Sequence, residues 1–180
     1  MSSIKTGSLL STFATGSVAS IVSSAALVAM SRHETGHAPA ALNGPSQWLW
    51  GRQAAYRRRA QARYTAVGYV IHHLSSLLWA GVYDHPRLRT TIPQPLLRAA
   101  AVTALAATVD YKLVPQRLTP GFEVQLPASA IALVYGVFGV GLVLGDRLAR
   151  RVRSRRHGLI RASTRLPRAP APAASGRHAA

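Results

Sequence analysis

The chain of 180 residues has no cysteine and only five acidic residues. The lack of cysteine excludes a disulfide framework, a thiolate nucleophile and a cysteine-based metal site. Five scattered acidic residues provide no paired carboxylates and no Ser-His-Asp order, and the sequence has no glycine-rich loop of the type that holds phosphate. We therefore expect a protein that is not an enzyme and that carries no cofactor.

Charge is also absent from long stretches of the chain. Residues 6–30, 65–83 and 124–145 contain no charged side chain over 25, 19 and 22 positions. A helix rises ~1.5 Å per residue, so about 20 apolar residues cross a hydrocarbon core of ~30 Å. Because the first and third of these stretches lack a charged face, they indicate membrane spans rather than the amphipathic helices of a soluble bundle.

A fourth apolar stretch is interrupted by three charged side chains, Arg98, Asp110 and Lys112. Long basic side chains near the ends of a span can extend to the membrane surface. We therefore expect Arg98 and Lys112 to point toward opposite interfaces, and residues 95–114 to cross the membrane. Lys112 is also close enough in sequence to give Asp110 a local ion pair near an interface.

These stretches predict an all-α fold, a polytopic transmembrane bundle of about four helices. The predicted transmembrane domain covers residues 1–146, with spans at 6–30, 65–84, 95–114 and 124–145 and a connector at 31–64. Only one basic residue, Lys5, precedes the first span, which is longer than the apolar part of a secretory signal. We expect this first span to remain uncleaved.

Basic residues dominate the remainder of the chain, which has 20 Arg and 2 Lys, and ten of the Arg lie in residues 147–177. We expect residues 147–180 to form a cytoplasmic tail, with a short basic helix after Asp146 and disorder from Leu166 onward. The predicted partner of this tail is a bilayer with anionic headgroups. Nucleic acid is not an expected partner, because no aromatic or glycine pattern of a nucleic-acid-binding fold accompanies the charge.

The distribution of basic residues leaves two topologies open. Four spans with the N-terminus inside place 14 basic residues inside and 8 outside. If residues 95–114 only dip into the membrane, the connector and the tail share one side, and the division becomes 16 to 6. The positive-inside rule favours this second topology. A re-entrant loop, however, needs surrounding protein to satisfy its backbone, so we adopt four spans.

The connector combines turn residues with aromatic and basic side chains. Pro39, Gly44 and Pro45 predict an irregular first half, and Ser46 is placed to cap a helix that starts at Gln47. The second half mixes aromatic side chains with arginine, which suits the headgroup level of a bilayer.

Small residues predict two faces at which helices pack closely. The first span carries a ladder of small and hydroxyl-bearing residues at i+4 spacing, and the fourth span carries a GxxxG pair. Serine is also tolerated within spans because its hydroxyl bonds the i−4 carbonyl, which is the simpler explanation of the ladder. The residues expected at these contacts are Gly16, Ser20, Ser24, Gly141 and Gly145.

The second and third spans carry polar side chains at membrane depth, where ionisable groups are costly and face a partner or a cavity. The candidates are His72, His73, Ser75, Ser76 and Asp110. One hypothesis is a proton or ion path through His72 and Asp110. The alternative is a neutral histidine that bonds serine or backbone carbonyl groups and holds the bundle together. Adjacent helical side chains point ~100° apart, and we expect His72 to face the interior and His73 its edge.

The sequence His33-Glu34-Thr35-Gly36-His37 matches HExxH, the motif in which two histidines on one helix bind zinc and the glutamate activates water. The motif needs a helix through both histidines and a third ligand. Here Gly36 lies within the match, and no acidic residue or histidine occurs between His37 and His72. The alternative interpretation is a polar junction at the end of the first span.

The run GYVIHHLSS at residues 68–76, followed by Trp79 and Tyr83, resembles the second span of small bacterial inner-membrane proteins of the YagU type. The sequence LTPGF at residues 118–122 resembles the turn in the same family. The resemblance covers residues 65–145. It implies a helical protein of the bacterial inner membrane, and it implies neither catalytic residues nor a substrate.

Together these observations predict a non-enzymatic, multi-pass inner-membrane protein that is structural or accessory to a larger complex. Its expected partner is another membrane protein or a second copy of the chain. The first alternative is a small transporter, or a proton- or ion-coupled protein, that uses the face of His72. The second alternative is an HExxH zinc peptidase.

Overall fold

A computed structural model of the protein describes the backbone of residues 2–164 and the side chains of residues 9–155. Within that part of the chain the secondary structure is entirely helical, so the predicted all-α class is confirmed. The α-helices are α1 (Ser2–Thr35), α2 (Gln47–Trp50), α3 (Val67–Asp84), α4 (Pro86–Thr91), α5 (Pro95–Thr108) and α6 (Ala128–Thr164). Two π-helical turns, Ala62–Ala66 and Val109–Leu113, extend α3 at its start and α5 at its end.

The four longer helices form an antiparallel bundle. Thr12 of α1 bonds Asp84 near the end of α3, and Ser23 of α1 bonds His72 near the start of α3. In the same way Gly145 of α6 lies against Thr15 of α1. The start of α1 and the end of the bundle part of α6 therefore lie at the same end, the "tail end". The connector and residues 115–127 lie at the opposite end, the "connector end".

Two of the helices, Leu9–Thr35 in α1 and Ala128–Arg155 in α6, are long and apolar enough to cross a membrane. The other two bundle helices are shorter, at 18 residues for α3 and 14 residues for α5.

The helix boundaries differ from the predicted span boundaries at both ends of the chain. α1 continues to Thr35, where Gly36 adopts a left-handed φ of +74° and its N–H bonds the carbonyl of Arg32, which ends the helix. α6 begins at Ala128 rather than at residue 124, because the residue before Pro127 is held out of the helical conformation. α6 then continues to Thr164, so the basic helix predicted after Asp146 is the continuation of α6. The disorder predicted from Leu166 lies outside the described residues.

The first half of the connector is irregular, as predicted, with turns up to residue 43 and a 3-10 turn at Gly44–Ser46, and it packs as a cap over the helix ends. Residues 40–47 are buried. The Asn43 side chain donates to the carbonyl of Arg57 at 2.8 Å, and the Gln47 side chain donates to the carbonyl of Thr119 at 2.7 Å. These bonds hold the connector to itself and to residues 115–127.

The predicted helix start at Gln47 is correct, but the predicted cap is wrong. The Ser46 hydroxyl donates to the carbonyl of Asn43 at 2.6 Å and makes no capping bond. Beside it, Gly44 lies so close to residues 120–121 that an added Cβ would be 2.7 Å from the Pro120 carbonyl oxygen. This turn therefore depends on the close approach of two backbone segments. The helix that follows it, α2, ends after four residues.

The bundle has large apolar side chains on its surface, and its interior mixes apolar side chains such as Leu27, Phe138 and Leu142 with polar ones. Its interior contains hydroxyl-bearing and charged side chains, among them Thr15, Ser20, Ser23, Ser24, Ser31, Ser76, Arg98, Thr103 and Asp146. Its surface carries exposed large apolar side chains on all four helices, including Phe13, Ile21, Val70, Leu74, Leu78, Leu97, Leu105, Leu133, Val140 and Leu144.

Candidate functional site

A cavity of about 50 Å³ lies among the bundle helices beneath the cap. Four of the five predicted polar residues line it: His72, Ser75, Ser76 and Asp110. A cavity of this size with polar groups in its wall has room for a few water molecules. His72 on α3 and Asp110 after α5, the two residues of the hypothesised proton path, therefore line the same cavity.

The His72 side chain is anchored to α1. Its Nε2 lies 2.9 Å from the hydroxyl of Ser23, and that hydroxyl lies 2.8 Å from the carbonyl of Ala19. The hydrogen bond between this ring nitrogen and the Ser23 hydroxyl ties α3 to α1. The His72 ring also contacts Phe122 edge-on, with centroids 6.1 Å apart. This is the histidine–serine bond that the sequence analysis offered as the alternative to a proton path.

His73 lies outside the cavity. Its ring stacks on Tyr69, with centroids 5.9 Å apart, and meets the edge of Phe13 at 6.3 Å. Its Nδ1 is buried and has no hydrogen-bond partner. The two adjacent histidines therefore occupy different surroundings, one anchored at the cavity and the other held between aromatic rings.

Asp110 bonds a tyrosine, and the predicted local ion pair with Lys112 is not formed. The Tyr135 hydroxyl of α6 donates to Asp110 Oδ2 at 2.5 Å, and the ring of Tyr111 lies edge-on to that of Tyr135. Among the described residues Asp110 makes no salt bridge. The reason is geometric, because the π-helical turn brings Asp110 to the cavity wall, whereas Lys112 is exposed.

A second polar cluster, at the tail end, was not predicted from the sequence. Asp146 is 1% exposed and accepts bonds of 2.7 Å from both Arg89 and Arg150. The same Nη2 of Arg89 also bonds Asp84 at 2.7 Å, so one guanidinium joins α4 to α3 and α6. Burial alone would lower the pKa of Arg89, but its bonds and charge contacts with the two carboxylates raise it.

Arg98 belongs to this cluster, and its predicted extension toward the membrane surface is wrong. The side chain is 1% exposed. Its Nη1 donates to the carbonyl of Ile92 at 2.8 Å, and its guanidinium lies 4.4 Å from the centre of the Tyr83 ring. A buried carboxylate, Asp146, lies 3.9 Å from its Nη2. A carbonyl group, an aromatic ring and a carboxylate therefore surround the guanidinium inside the bundle. One feature of the sequence could have predicted this cluster. Arg98 and Asp146 have opposite charges and occupy chain positions that antiparallel helices bring to the same end of the bundle.

The three glycines among the predicted packing residues lie close to a neighbouring helix. A Cβ added to Gly141 or Gly145 would lie 2.7 Å from the Cα of Ala19 or Thr15, so the GxxxG pair meets α1 backbone to backbone. Gly16 faces α3, where an added Cβ would lie 2.8 Å from the side chain of Leu77. Ser20 and Ser24 of the ladder are buried in the same helix.

The HExxH sequence lacks the geometry of a zinc peptidase site. The helix ends at Thr35, so His37 lies beyond it and not on the same helix face as His33. His33 is exposed and contacts its neighbour Glu34 at 3.1 Å. The described residues contain no group of three or more side chains placed to hold a metal ion. The polar junction at the end of α1 fits these positions.

Several residues that line the cavity were not predicted from the sequence, among them two with polar side chains and one tryptophan. Ser23, Trp48 and Tyr135 line it, and each comes from a different part of the chain. Tyr135 is the single tyrosine of the uncharged stretch 124–145, which is a signal that could have suggested a partner for a carboxylate inside the bundle. Trp48 had no such signal, because it belongs to a connector whose fold back onto the bundle depends on tertiary contacts.

No protein family, curated protein or solved structure matches this chain. The resemblance of residues 65–145 to inner-membrane proteins of the YagU type therefore stays a prediction. The functional conclusions below rest on the residues of this chain alone.

Proposed function

We propose that this chain is an integral protein of the bacterial inner membrane with four spans, and that it serves as a non-enzymatic structural or accessory component. The observation that carries the proposal is the apolar surface of the bundle, with large exposed apolar side chains on all four longer helices. A surface made of leucine, valine and phenylalanine is costly in water and stable in lipid.

The proposal extends to α3 and α5, whose exposed faces are apolar. On α3 the exposed Val70, Leu74 and Leu78 follow one another at i+4, so they form one stripe on the outside of the bundle. On α5 Leu97 and Leu105 are exposed. Each such side chain is worth roughly 1.5–3 kcal/mol when removed from water, so a bilayer covering this surface stabilises the bundle far more than water does.

Helix length also supports four spans. With their π-helical turns, α3 and α5 extend over residues 62–84 and 95–113, which is about 28–34 Å at ~1.5 Å per residue. Arg98 lies at the tail end beside Asp146, and Asp110 lies at the connector end beside Tyr135. A helix that reaches both ends of the bundle favours a span over a re-entrant loop.

In this topology the tail end faces the cytoplasm. α6 leaves the bundle after Asp146 with exposed Arg147, Arg150, Arg151 and Arg155 around the helix. Each basic side chain near an anionic leaflet contributes ~1 kcal/mol, so lipid headgroups are the proposed partner of this helix. The proposed membrane-protein partner, or second copy of the chain, would contact the apolar outer faces.

Two measurements test the proposal. Extraction of membranes with alkaline carbonate should leave the protein in the membrane fraction, and recovery in the soluble fraction would contradict it. Reporter fusions should then place residues 57–59 of the connector and the end of α6 on opposite sides of the membrane. If both fusions report the cytoplasm, the third segment is re-entrant and the four-span topology is wrong.

A second candidate function is a small transporter or a proton- or ion-coupled protein. The observation that favours it is the cavity shared by His72 and Asp110. Ionisable side chains within spans are costly and commonly mark ion or substrate paths. Proton flux into liposomes that contain the purified protein would support it, provided that Asp110→Asn abolishes the flux. An equal flux in that variant would leave the accessory role as the better proposal.

A further inference from the structure

The cavity has an unusual combination of wall residues. Five aromatic side chains line it: Trp48, Trp79, Phe122, Tyr135 and Phe138. One carboxylate, that of Asp110, completes the wall, and neither lysine nor arginine lines it. Among the described residues that line the cavity, His72 carries the one basic group, and its Nε2 bonds the Ser23 hydroxyl.

We propose that this cavity binds a small organic ammonium cation, with Asp110 as its counter-charge and the aromatic rings as its walls. The inference rests on the second candidate function, since a solute-coupled membrane protein needs a ligand in its cavity. Aromatic faces carry negative electrostatic potential and attract cations, and this attraction strengthens when the site is removed from water.

The negative charge of the cavity wall disfavours two other kinds of ligand, an anion and a neutral apolar molecule. An anion would meet a carboxylate and no guanidinium or ammonium group. A neutral apolar molecule would fill the space but leave Asp110 with the Tyr135 hydroxyl as its one hydrogen-bond partner. A carboxylate can accept about four hydrogen bonds, so an N–H donor from the ligand supplies what the protein does not.

The ligand must also be small. The cavity volume of about 50 Å³ suits a group of a few heavy atoms, such as methylammonium, rather than a drug-sized molecule. The hydroxyls of Ser75 and Ser76 lie in the same wall and offer further acceptors to an ammonium group. The Ser76 hydroxyl donates its proton to the His72 carbonyl at 2.8 Å, so it can only accept a hydrogen bond from a ligand.

Tryptophan fluorescence can report binding directly. The chain has three tryptophans, of which Trp48 and Trp79 line the cavity and Trp50 does not. In a Trp50→Phe background all fluorescence therefore comes from the cavity wall. We expect methylammonium chloride to give a saturable change that sodium chloride at the same ionic strength does not give. Methanol, a neutral molecule of the same size, should bind at least tenfold more weakly.

Variants separate the site from a general salt effect. Asp110→Asn keeps the side-chain shape and should weaken methylammonium binding at least tenfold, whereas Glu34→Gln removes an exposed carboxylate that does not line the cavity and should leave it unchanged. Ser75→Leu fills the cavity and should abolish binding, which keeps the test available if the Asp110 variant does not fold.

Equal binding of methylammonium and methanol, equal binding by the Asp110 variant, or no saturable binding at all would overturn the inference. None of these outcomes bears on the proposal that the protein is integral to the membrane, because carbonate extraction tests that proposal independently. Proton flux without methylammonium binding would keep the second candidate function and reject only the ligand.

Discussion

Arg98 and Asp146 are both buried between α5 and α6, with Nη2 of the arginine 3.9 Å from Oδ2 of the aspartate. Asp146 makes its short bonds to Arg89 and Arg150 instead. One buried carboxylate therefore faces three guanidinium groups that come from α4, α5 and α6 itself. A cluster of this kind depends on the carboxylate, because removing one member of a buried pair leaves an uncompensated charge.

Asp146→Asn should accordingly destabilise the bundle by about 3–5 kcal/mol. The variant keeps the shape of the side chain but leaves Arg98 buried without a counter-charge. Thermal unfolding in detergent, followed by circular dichroism, measures the change. The matched control is Arg150→Gln, because Arg150 is more than half exposed and an exposed ion pair contributes at most about 1 kcal/mol. Equal losses in the two variants would show that burial of the cluster is unimportant.

The glycines of α6 provide a comparison within one helix. Gly145→Ala should destabilise the protein by about 1–3 kcal/mol, because its new Cβ would lie 2.7 Å from the Cα of Thr15 and the two backbones must separate. Gly136→Ala should cause no loss, because nothing lies within 4 Å of a Cβ at that position. Unfolding temperatures in detergent decide this prediction, and a loss of stability at Gly136 would contradict it.

His72→Leu should lower the unfolding temperature more than His73→Leu. The first variant removes the bond to Ser23, whereas the second removes a side chain whose Nδ1 is buried without a partner. Hydrogen bonds between spans average ~0.6 kcal/mol, so the expected difference is about 1 kcal/mol or less. Identical unfolding temperatures and identical proton flux in the two variants would show that neither histidine is specially placed.

The connector cap should open when Gln47 is truncated. Gln47→Ala removes the 2.7 Å bond to the Thr119 carbonyl, which keeps Trp48 Nε1 as a donor at 3.1 Å, so the expected cost is that of one hydrogen bond, about 0.5–1.5 kcal/mol. Limited digestion with trypsin at Arg57, Arg58 and Arg59, which are exposed, should become faster. Gln53→Ala is the control, because Gln53 is exposed. If both variants are cleaved at the wild-type rate, the cap does not depend on this bond.

The helices of the bundle could be located from the sequence, for a local reason. Uncharged stretches, a glycine at the end of α1 and a proline before α6 each act on the chain next to them. The GxxxG pair could be identified in the same way, because close approach of backbones needs a small residue whichever helix is the partner.

Which side chains meet was decided only by the tertiary structure. Arg98 was expected at the membrane surface, yet it is buried, because antiparallel order brings the start of α5 beside the end of α6. His72 and Asp110 share a cavity only because the connector folds back and supplies Trp48 to its wall. Sequence alone therefore determined where the apolar helices lie, since length and charge act locally. Partner choice at the cavity and in the charged cluster depends on residues far apart in the chain, and only folding brings those together.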